Sequence, residues 1–253
     1  MSHLKVLEES VFQVETKWPQ FKLLLEDISI LSKEFRNNEK VVSFERTLLY
    51  GGYSLIAPLF KNVNFISIDC SPKNAEDRGA YNYEMINKKG FEKILHHQRN
   101  DIIRTQLEAA TADLVIVPNL VHHVREQDEL FSELNRICKV GGKVYIFESI
   151  LRELHQEPND FIRYTPYGLS EILKIHGFDI IKEDRIGGVF DAIRYCWIQA
   201  LEYIDGNDQH KYKEWFKEHE KELISMDRKY KSNITRENTS FPTGFSIHAI
   251  KIK

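Results

Sequence analysis

The stretch that decides the fold is Phe44–Pro72, FERTLLYGGYSLIAPLFKNVNFISIDCSP. It contains a short apolar run over 47–50, a compact apolar segment over 55–60 and a second apolar run over 63–68. This order predicts a strand, a turn, a helix and a second strand. The stretch therefore indicates the start of a parallel α/β sheet.

The turn and the end of the second run both suit a ligand. Gly51 and Gly52 stand at the predicted turn, where glycine lets the backbone approach a ligand closely. Asp69 ends the second run, and a carboxylate there can accept from both hydroxyls of a ribose. We therefore predict a nucleoside-type cofactor site. An ordinary β-α-β turn is the alternative, because a full G-x-G-x-x-G is absent.

Composition excludes several classes of protein. The chain has 253 residues, 42% of them hydrophobic, and a net charge of −3, which argues against a nucleic-acid binder that uses a broad basic field. Its cysteines, Cys70, Cys138 and Cys196, form no C-x-x-C pair, so neither a disulfide framework nor a zinc knuckle is indicated. The charged start and the short apolar runs predict a cytoplasmic chain without a membrane span.

Strand and helix patterns alternate through residue 186, which predicts one α/β domain with a doubly wound, mainly parallel sheet. Within 1–253, the predicted core covers 40–186 and 241–253, with helices at 1–38 and a helical insertion at 187–240. The N-terminal helices are expected to cover the sheet or to act as a lid. The remaining predicted elements are a strand over Phe91–Gln98, a strand over Leu114–Val117, a helix over Gln127–Val140, a strand over Lys143–Phe147, a helix between Thr165 and Gly177, and strands over Phe178–Ile186 and Phe245–Ile252.

Two histidine pairs raise the question of a metal site. They are His96-His97 and His122-His123. Neighbouring side chains on a strand point to opposite faces, so each pair would be a poor chelate. We therefore predict no metal.

Two segments resemble class I S-adenosylmethionine-dependent methyltransferases. Ala112–Gly142, ADLVIVPNLVHHVREQDELFSELNRICKVGG, resembles their fourth strand and following helix, with D-x-V, H-V and K-x-G-G at the family's spacing. Residues 148–178, ESILRELHQEPNDFIRYTPYGLSEILKIHGF, resemble the H-x-x-P-x-D-F-x-R-Y-T-P-x-G-L block of members that methylate small molecules or glycan precursors. The resemblance implies a seven-stranded Rossmann-like fold and methyl transfer from S-adenosylmethionine to an oxygen or nitrogen of a small-molecule or carbohydrate-linked acceptor.

The resemblance also implies which residues bind the cofactor. The predicted set is Tyr50, Gly51, Gly52, Ser54, Asp69, Cys70, Asp101, Ile102 and Asn119. Asp69 would hold the ribose, Asp101 and Ile102 would flank the adenine, and Asn119 would lie beside the sulfonium. Two departures stand out: Tyr50 replaces the usual first glycine, and Leu48 stands where the strand commonly carries an acid.

The acceptor side is predicted at the ends of the fourth and fifth strands. His122, His123 and His155 are the candidates to take the acceptor's proton, because histidine works near neutral pH; helix capping or packing is the alternative. The predicted substrate-binding residues are Asn159, Asp160, Arg163 and Tyr164. Arg163 could clamp an anionic group, or it could pair with Asp160 and shape the loop.

The helical insertion carries more aromatic surface than one packed helix face needs, including Trp197, Trp215 and Phe216. Such surface commonly marks an interface. We expect the insertion to cover the acceptor side of the cleft or to form a homodimer contact.

Two alternatives to a methyltransferase stay open from the sequence. One is a non-catalytic relative with a degenerate cofactor site, which Leu48 and Tyr50 would support. The other is a nicotinamide-dependent oxidoreductase, against which the missing second glycine pattern weighs.

Overall fold

The computed structural model describes residues 2–14, 17–45, 49–50, 53–69, 98–99, 101–230 and 241–253. Its strands are β1 (Lys40–Glu45), β2 (Leu49–Tyr50), β3 (Tyr53–Ser54), β4 (Asn64–Asp69), β5 (Gln98–Arg99), β6 (Ala112–Pro118), β7 (Cys138–Ser149), β8 (Phe178–Ile186) and β9 (Gly244–Lys251). Its α-helices are α1 (His3–Val6), α2 (Phe21–Glu34), α3 (Gln127–Ile137), α4 (Pro166–Ile175), α5 (Val189–Ala200) and α6 (Gly206–Tyr230).

Seven strands form one sheet in the order β5-β4-β1-β6-β7-β9-β8. The pairs from β5 to β7 are parallel, and β9 runs antiparallel to both of its neighbours. β2 and β3 form a separate small hairpin. The predicted mainly parallel, Rossmann-like fold is confirmed.

The first strand lies earlier than predicted. The run Val41–Phe44 is completely buried and pairs with β4 on one side and β6 on the other. Of the strand predicted over 47–50, Leu49 and Tyr50 form β2, but this strand pairs with β3 in the hairpin, with Leu49 opposite Ser54, and not in the main sheet; residues 47–48 lie outside the described residues. The central strand therefore ends at Glu45.

The helix predicted over 55–60 was also wrong. The segment forms only a 3-10 turn, Ala57–Leu59, which includes Pro58 near its start. The buried cluster on that face of the sheet is instead completed by the N-terminal segment, in which α2 contributes Phe21, Leu24 and Ile28. The N-terminal residues thus act as cover for the core.

The opposite face of the sheet is covered by α3 and α4. Leu130 and Leu134 of α3 and Leu169 and Leu173 of α4 join one buried cluster with the strands. α4 begins as predicted, with the Thr165 hydroxyl accepting from the backbone N–H of Gly168 and Pro166 in the first turn.

Two other predicted boundaries shift. α3 ends at Ile137 rather than at Val140, and β7 begins directly afterwards and carries the glycines 141–142 within it. Gly141 has a positive φ of 78°, which glycine adopts without strain. Of the third strand predicted over 91–98, only Gln98 belongs to the described residues.

The helical insertion is a pair of helices, α5 and α6. Arg194 of α5 is buried, and its Nε lies 2.7 Å from Glu220 Oε1 of α6. The rings of Trp197 and Trp215 lie 5.0 Å apart between the helices. Among the helices that the structure describes, none is long and apolar enough to cross a membrane.

Candidate active site

The carboxyl ends of the parallel strands meet at one edge of the sheet. Glu45 and Asp69 are paired in register where β1 and β4 end, and Pro118 is paired with Phe147 where β6 ends. In such sheets, ligands bind in the crevice outside the carboxyl ends of the strands. This edge is the candidate active site.

Glu45 is a buried acid at the end of β1 that the sequence analysis did not single out. Its side chain is fully buried, and its Oε1 accepts from the Ser54 hydroxyl at 2.6 Å. The Ser54 oxygen in turn accepts from the backbone N–H of Ala57 at 3.1 Å. Leu48 itself lies outside the described residues, and the acid that ends β1 is Glu45. The mainly apolar run Val41–Phe44, closed by a glutamate, was the signal that could have revealed this acid.

The other predicted cofactor residues are described to different extents. Asp69 is the last residue of β4, and Tyr50 is the last residue of β2. Gly51, Gly52 and Cys70 lie outside the described residues. The assignment of Asp69 to a ribose stays a prediction.

The loop with the two predicted adenine neighbours is tied to α3. Asp101 is exposed and Ile102 is buried, directly after β5. Further along the loop, Thr105 donates to Glu133 Oε1 from its backbone N–H at 2.9 Å and from its hydroxyl at 2.5 Å. Burial alone would raise the pKa of Glu133, but the hydrogen bonds from Arg136 and Thr105 outweigh it and lower the pKa. The buried carboxylate therefore anchors this loop.

Asn119 joins the ends of β6 and β7. Its backbone N–H donates to the Phe147 carbonyl at 2.7 Å, and its side-chain oxygen accepts from the Ser149 N–H at 3.2 Å. It has a positive φ of 53°, which asparagine tolerates better than most residues. Asn119 thus shapes the strand ends, and its predicted contact with the cofactor stays a prediction.

Glu148, which the sequence analysis did not single out, organises the turn after β6. Its Oε1 accepts from the backbone N–H groups of Leu120 and Val121 at 2.8 and 2.7 Å. Its Oε2 lies 2.6 Å from Nδ1 of His122. All these groups are buried, so the carboxylate fixes both the backbone turn and the imidazole ring. The only signal in the sequence was an acid at the end of an apolar strand.

The structure brings the three predicted histidines together. His122 and His123 lie in the 3-10 turn Val121–His123, and their ring centroids are 3.9 Å apart. Nε2 of His122 lies 3.4 Å from Nε2 of His155. The argument that neighbouring histidines must point apart was therefore wrong, because this pair sits in a turn and not in a strand. His96 and His97 lie outside the described residues.

The loop after β7 holds the other two rings in place. Nδ1 of His155 lies 3.1 Å from the Glu153 carbonyl, and Nδ1 of His123 lies 2.5 Å from the Asn159 carbonyl. Burial, followed by the positive charge of Arg152, lowers the pKa of His155 to about 4. His155 is therefore neutral at physiological pH.

The predicted substrate residues lie on the same loop. Arg163 is paired with Asp160, with Nη2 at 2.7 Å from Oδ2, and Asp160 also accepts from the backbone N–H of His155 at 3.2 Å. Burial opposes ionisation of Asp160, but the hydrogen bond from Arg163 lowers its pKa. Tyr164 donates to Gln127 Oε1 at 3.2 Å. The ion pair that shapes the loop is thus present, and an anion clamp by Arg163 stays a prediction.

The insertion contacts this loop. The Tyr195 hydroxyl of α5 donates to Glu153 Oε2 at 2.5 Å, two residues before His155. The aromatic surface between α5 and α6 lies around Trp197, Trp215 and Phe216, where a groove of about 220 Å³ opens. The middle of α5 therefore contacts the loop that carries His155.

Comparisons with known proteins agree with this architecture. Residues 51–146 match the sequence family described as "Methyltransferase domain". No curated protein matches the chain.

Among solved structures, the chain is similar to a SAM-dependent methyltransferase from Archaeoglobus fulgidus, with 15% identity, a TM-score of 0.52, and coverage of 91% of this chain and 94% of that one. The YcgJ protein from Bacillus subtilis gives 15% identity, a TM-score of 0.51, and 90% and 99% coverage. Phosphoethanolamine N-methyltransferase 2 from Haemonchus contortus, solved with S-adenosylmethionine, gives 16% identity, a TM-score of 0.50, and 100% and 60% coverage. At these identities the likeness establishes the fold.

Proposed function

We propose that the chain is a class I S-adenosylmethionine-dependent methyltransferase that methylates an oxygen or nitrogen of a small-molecule or carbohydrate-linked acceptor, with His122 as the proton acceptor. The match of residues 51–146 to a methyltransferase domain and the shared fold support the proposal. The observation that carries the proposal is the buried contact of 2.6 Å between His122 Nδ1 and Glu148 Oε2.

The strand ends have the chemistry to hold the cofactor. Two acidic residues, Glu45 and Asp69, are paired in register at the ends of β1 and β4. Acids at these positions suit the ammonium group and the ribose hydroxyls of S-adenosylmethionine. Since Glu45 supplies the acid whose loss would have supported a degenerate cofactor site, that alternative loses one of its two arguments. When bound, S-adenosylmethionine supplies an activated methyl group.

The chain's own residues would then orient the acceptor and take its proton. The Glu148 carboxylate favours the tautomer in which Nδ1 of His122 carries the hydrogen, so Nε2 keeps its lone pair. An acceptor hydroxyl that donates to Nε2 could transfer its proton there as its oxygen bonds to the methyl carbon and the carbon–sulfur bond of the donor breaks. An ammonium group would have to lose its proton to Nε2 before its nitrogen could attack. A carboxylate that orients a histidine base is a recurring arrangement in enzymes.

A small acceptor is supported by the enclosure of this side of the site. The loop over 153–164 packs on the histidine turn, with the Phe161 N–H donating to the His122 carbonyl at 2.8 Å. The Tyr195–Glu153 contact brings the insertion against the same loop. We also propose that the insertion limits acceptor size. A homodimer contact through α5 and α6, the absence of nucleic-acid partners and a cytoplasmic location stay predictions.

The test uses radiolabelled S-adenosylmethionine and fractionated small-molecule extracts, followed by kinetics on the acceptor found. His122→Ala should lower turnover by about 10²–10⁴-fold, the usual contribution of a general base. The dissociation constant of S-adenosylhomocysteine should change little. The exposed His210→Ala on α6 is the matched control. Turnover equal to wild type in a folded His122→Ala protein would refute the assignment.

A further inference from the structure

We propose that His122, His123 and His155 form a binding site for a divalent transition-metal ion, with zinc the best match. One ligand nitrogen from each histidine lies within 4.8 Å of those of the other two. The proposal rests on side-chain geometry, and it would stand even if the proposed acceptor chemistry were wrong.

The closest pair already has the spacing of two ligands on one ion. Nε2 of His122 and Nε2 of His155 are 3.4 Å apart. In a tetrahedral site with zinc–nitrogen bonds of about 2.0–2.1 Å, two ligand nitrogens are separated by about 3.3–3.4 Å. Small rotations of the His123 ring would bring the third nitrogen from at most 4.8 Å to the same spacing.

The Nδ1 atoms of all three rings face oxygen acceptors. These are the Glu148 carboxylate at 2.6 Å, the Asn159 carbonyl at 2.5 Å and the Glu153 carbonyl at 3.1 Å. Metal-bound histidines typically donate their second ring nitrogen to a carboxylate or a carbonyl, which fixes the tautomer and the ring orientation. The protein thus supplies both the ligands and the groups that orient them.

These contacts leave the Nε2 atoms of the closest pair available as ligands. With hydrogen on Nδ1 in both rings, Nε2 of His122 and Nε2 of His155, which are 3.4 Å apart, each keep a lone pair that can bind a cation. Imidazole ligands favour zinc, copper, nickel and iron, and three histidines leave a fourth position open, as in catalytic zinc sites.

The ion would change the role of His122. Nε2 cannot bind an ion and accept a proton at the same time, so metal and general-base chemistry compete for one atom. A hydroxyl bound in the open position of the ion would become more acidic. Activity measured with chelator and with added zinc therefore distinguishes the two modes, whereas metal binding itself does not depend on activity.

A second group of three side chains serves as a control. Asp27, Asp184 and His248 also lie close together. One oxygen of each carboxylate already faces a protein group, since Asp27 Oδ2 accepts from Ser246 at 2.7 Å and Asp184 Oδ2 lies 2.5 Å from the Lys182 ammonium. We expect this group to stay without metal.

The experiment uses tag-free full-length protein, stripped with a chelator and titrated with zinc chloride by calorimetry. We expect one ion per chain, and cobalt(II) should give the visible absorption bands of a tetrahedral site. His155→Ala and His123→Ala should each weaken zinc binding by more than about 100-fold, since loss of an outer partner alone costs about 10–100-fold. His210→Ala and His248→Gln should bind as the wild type does.

Circular dichroism identifies variants that fail to fold, and His155→Asn replaces His155→Ala in that case. Saturable binding that is lost in the His123 and His155 variants and kept in both controls supports the site. No saturable binding to the wild type overturns the proposal. Binding that persists in both cluster variants, or that is lost in His248→Gln alone, also overturns it.

Discussion

Replacing Glu148 by glutamine tests whether the carboxylate sets the state of His122. The glutamine oxygen can still accept from the Leu120 and Val121 N–H groups, which now donate at 2.8 and 2.7 Å. Its amide nitrogen cannot accept from Nδ1 of His122, which now lies 2.6 Å from Oε2. The imidazole should therefore shift to the tautomer with hydrogen on Nε2.

The size of the effect follows from the hydrogen bonds that change. Bonds to a charged acceptor contribute about 1.5–3 kcal/mol and bonds to a neutral one about 0.5–1.5 kcal/mol. The glutamine amide can donate to the unprotonated Nδ1 of the shifted tautomer, so all three bonds change from charged to neutral at a loss of about 1–1.5 kcal/mol each. The free energy of unfolding should therefore fall by about 3–4.5 kcal/mol. Turnover should fall by about 10²–10⁴-fold, because Nε2 no longer offers a lone pair.

Nitrogen-15 NMR of the histidine side chains in chelator-treated protein reports the tautomer without any acceptor. Urea unfolding gives the stability, and Glu129→Gln, at an exposed position of α3, is the matched control. A folded Glu148→Gln protein with an unchanged His122 tautomer and unchanged turnover would refute the reasoning.

Three further predictions concern the cofactor edge and the insertion. Asp69→Ala should weaken S-adenosylhomocysteine binding by about 1.5–3 kcal/mol, the range for hydrogen bonds to a charged group. A dissociation constant equal to that of the wild type, measured by calorimetry on the folded variant, would show that Asp69 does not bind the ribose. Glu133 has a lowered pKa in the folded chain, so its ionised carboxylate stabilises the fold at pH values above the unfolded pKa of about 4.5. This contribution is lost as the pH falls from that value through the lower pKa of the folded chain. Glu133→Gln should therefore be less stable than wild type near pH 7, with the gap in urea unfolding closing on acidification; a gap independent of pH would contradict this. Tyr195→Phe removes the contact with Glu153 and should raise the acceptor KM more than it lowers kcat. A KM and a kcat equal to those of the wild type would show that this contact of the insertion does not affect acceptor binding.

The order of the core elements and the three histidines could be predicted from the sequence. Apolar runs that alternate with helical patterns predict a parallel sheet. Polar residues that follow β6 and β7 then lie close together, because parallel strands end at the same edge of the sheet. His122 and His155 are 33 positions apart in sequence, yet their Nε2 atoms lie 3.4 Å apart because their strands are neighbours.

The position of β1 and the role of Glu148 could not be predicted in this way. An apolar run beside a glycine pair suits a short hairpin as well as a core strand, and only pairing with β4 and β6 decides that the strand ends at Glu45. Glu148 reaches the turn after β6 from β7, a contact between strands that no local pattern reports. The turn at Val121–His123 likewise depends on that carboxylate.

Calorimetric titration tests most directly whether this edge of the sheet binds S-adenosylmethionine. The wild-type protein should bind S-adenosylmethionine and S-adenosylhomocysteine with one site per chain and should show no heat of binding with NAD(H). Saturable binding of NAD(H), with none of either S-adenosyl compound, would contradict the account.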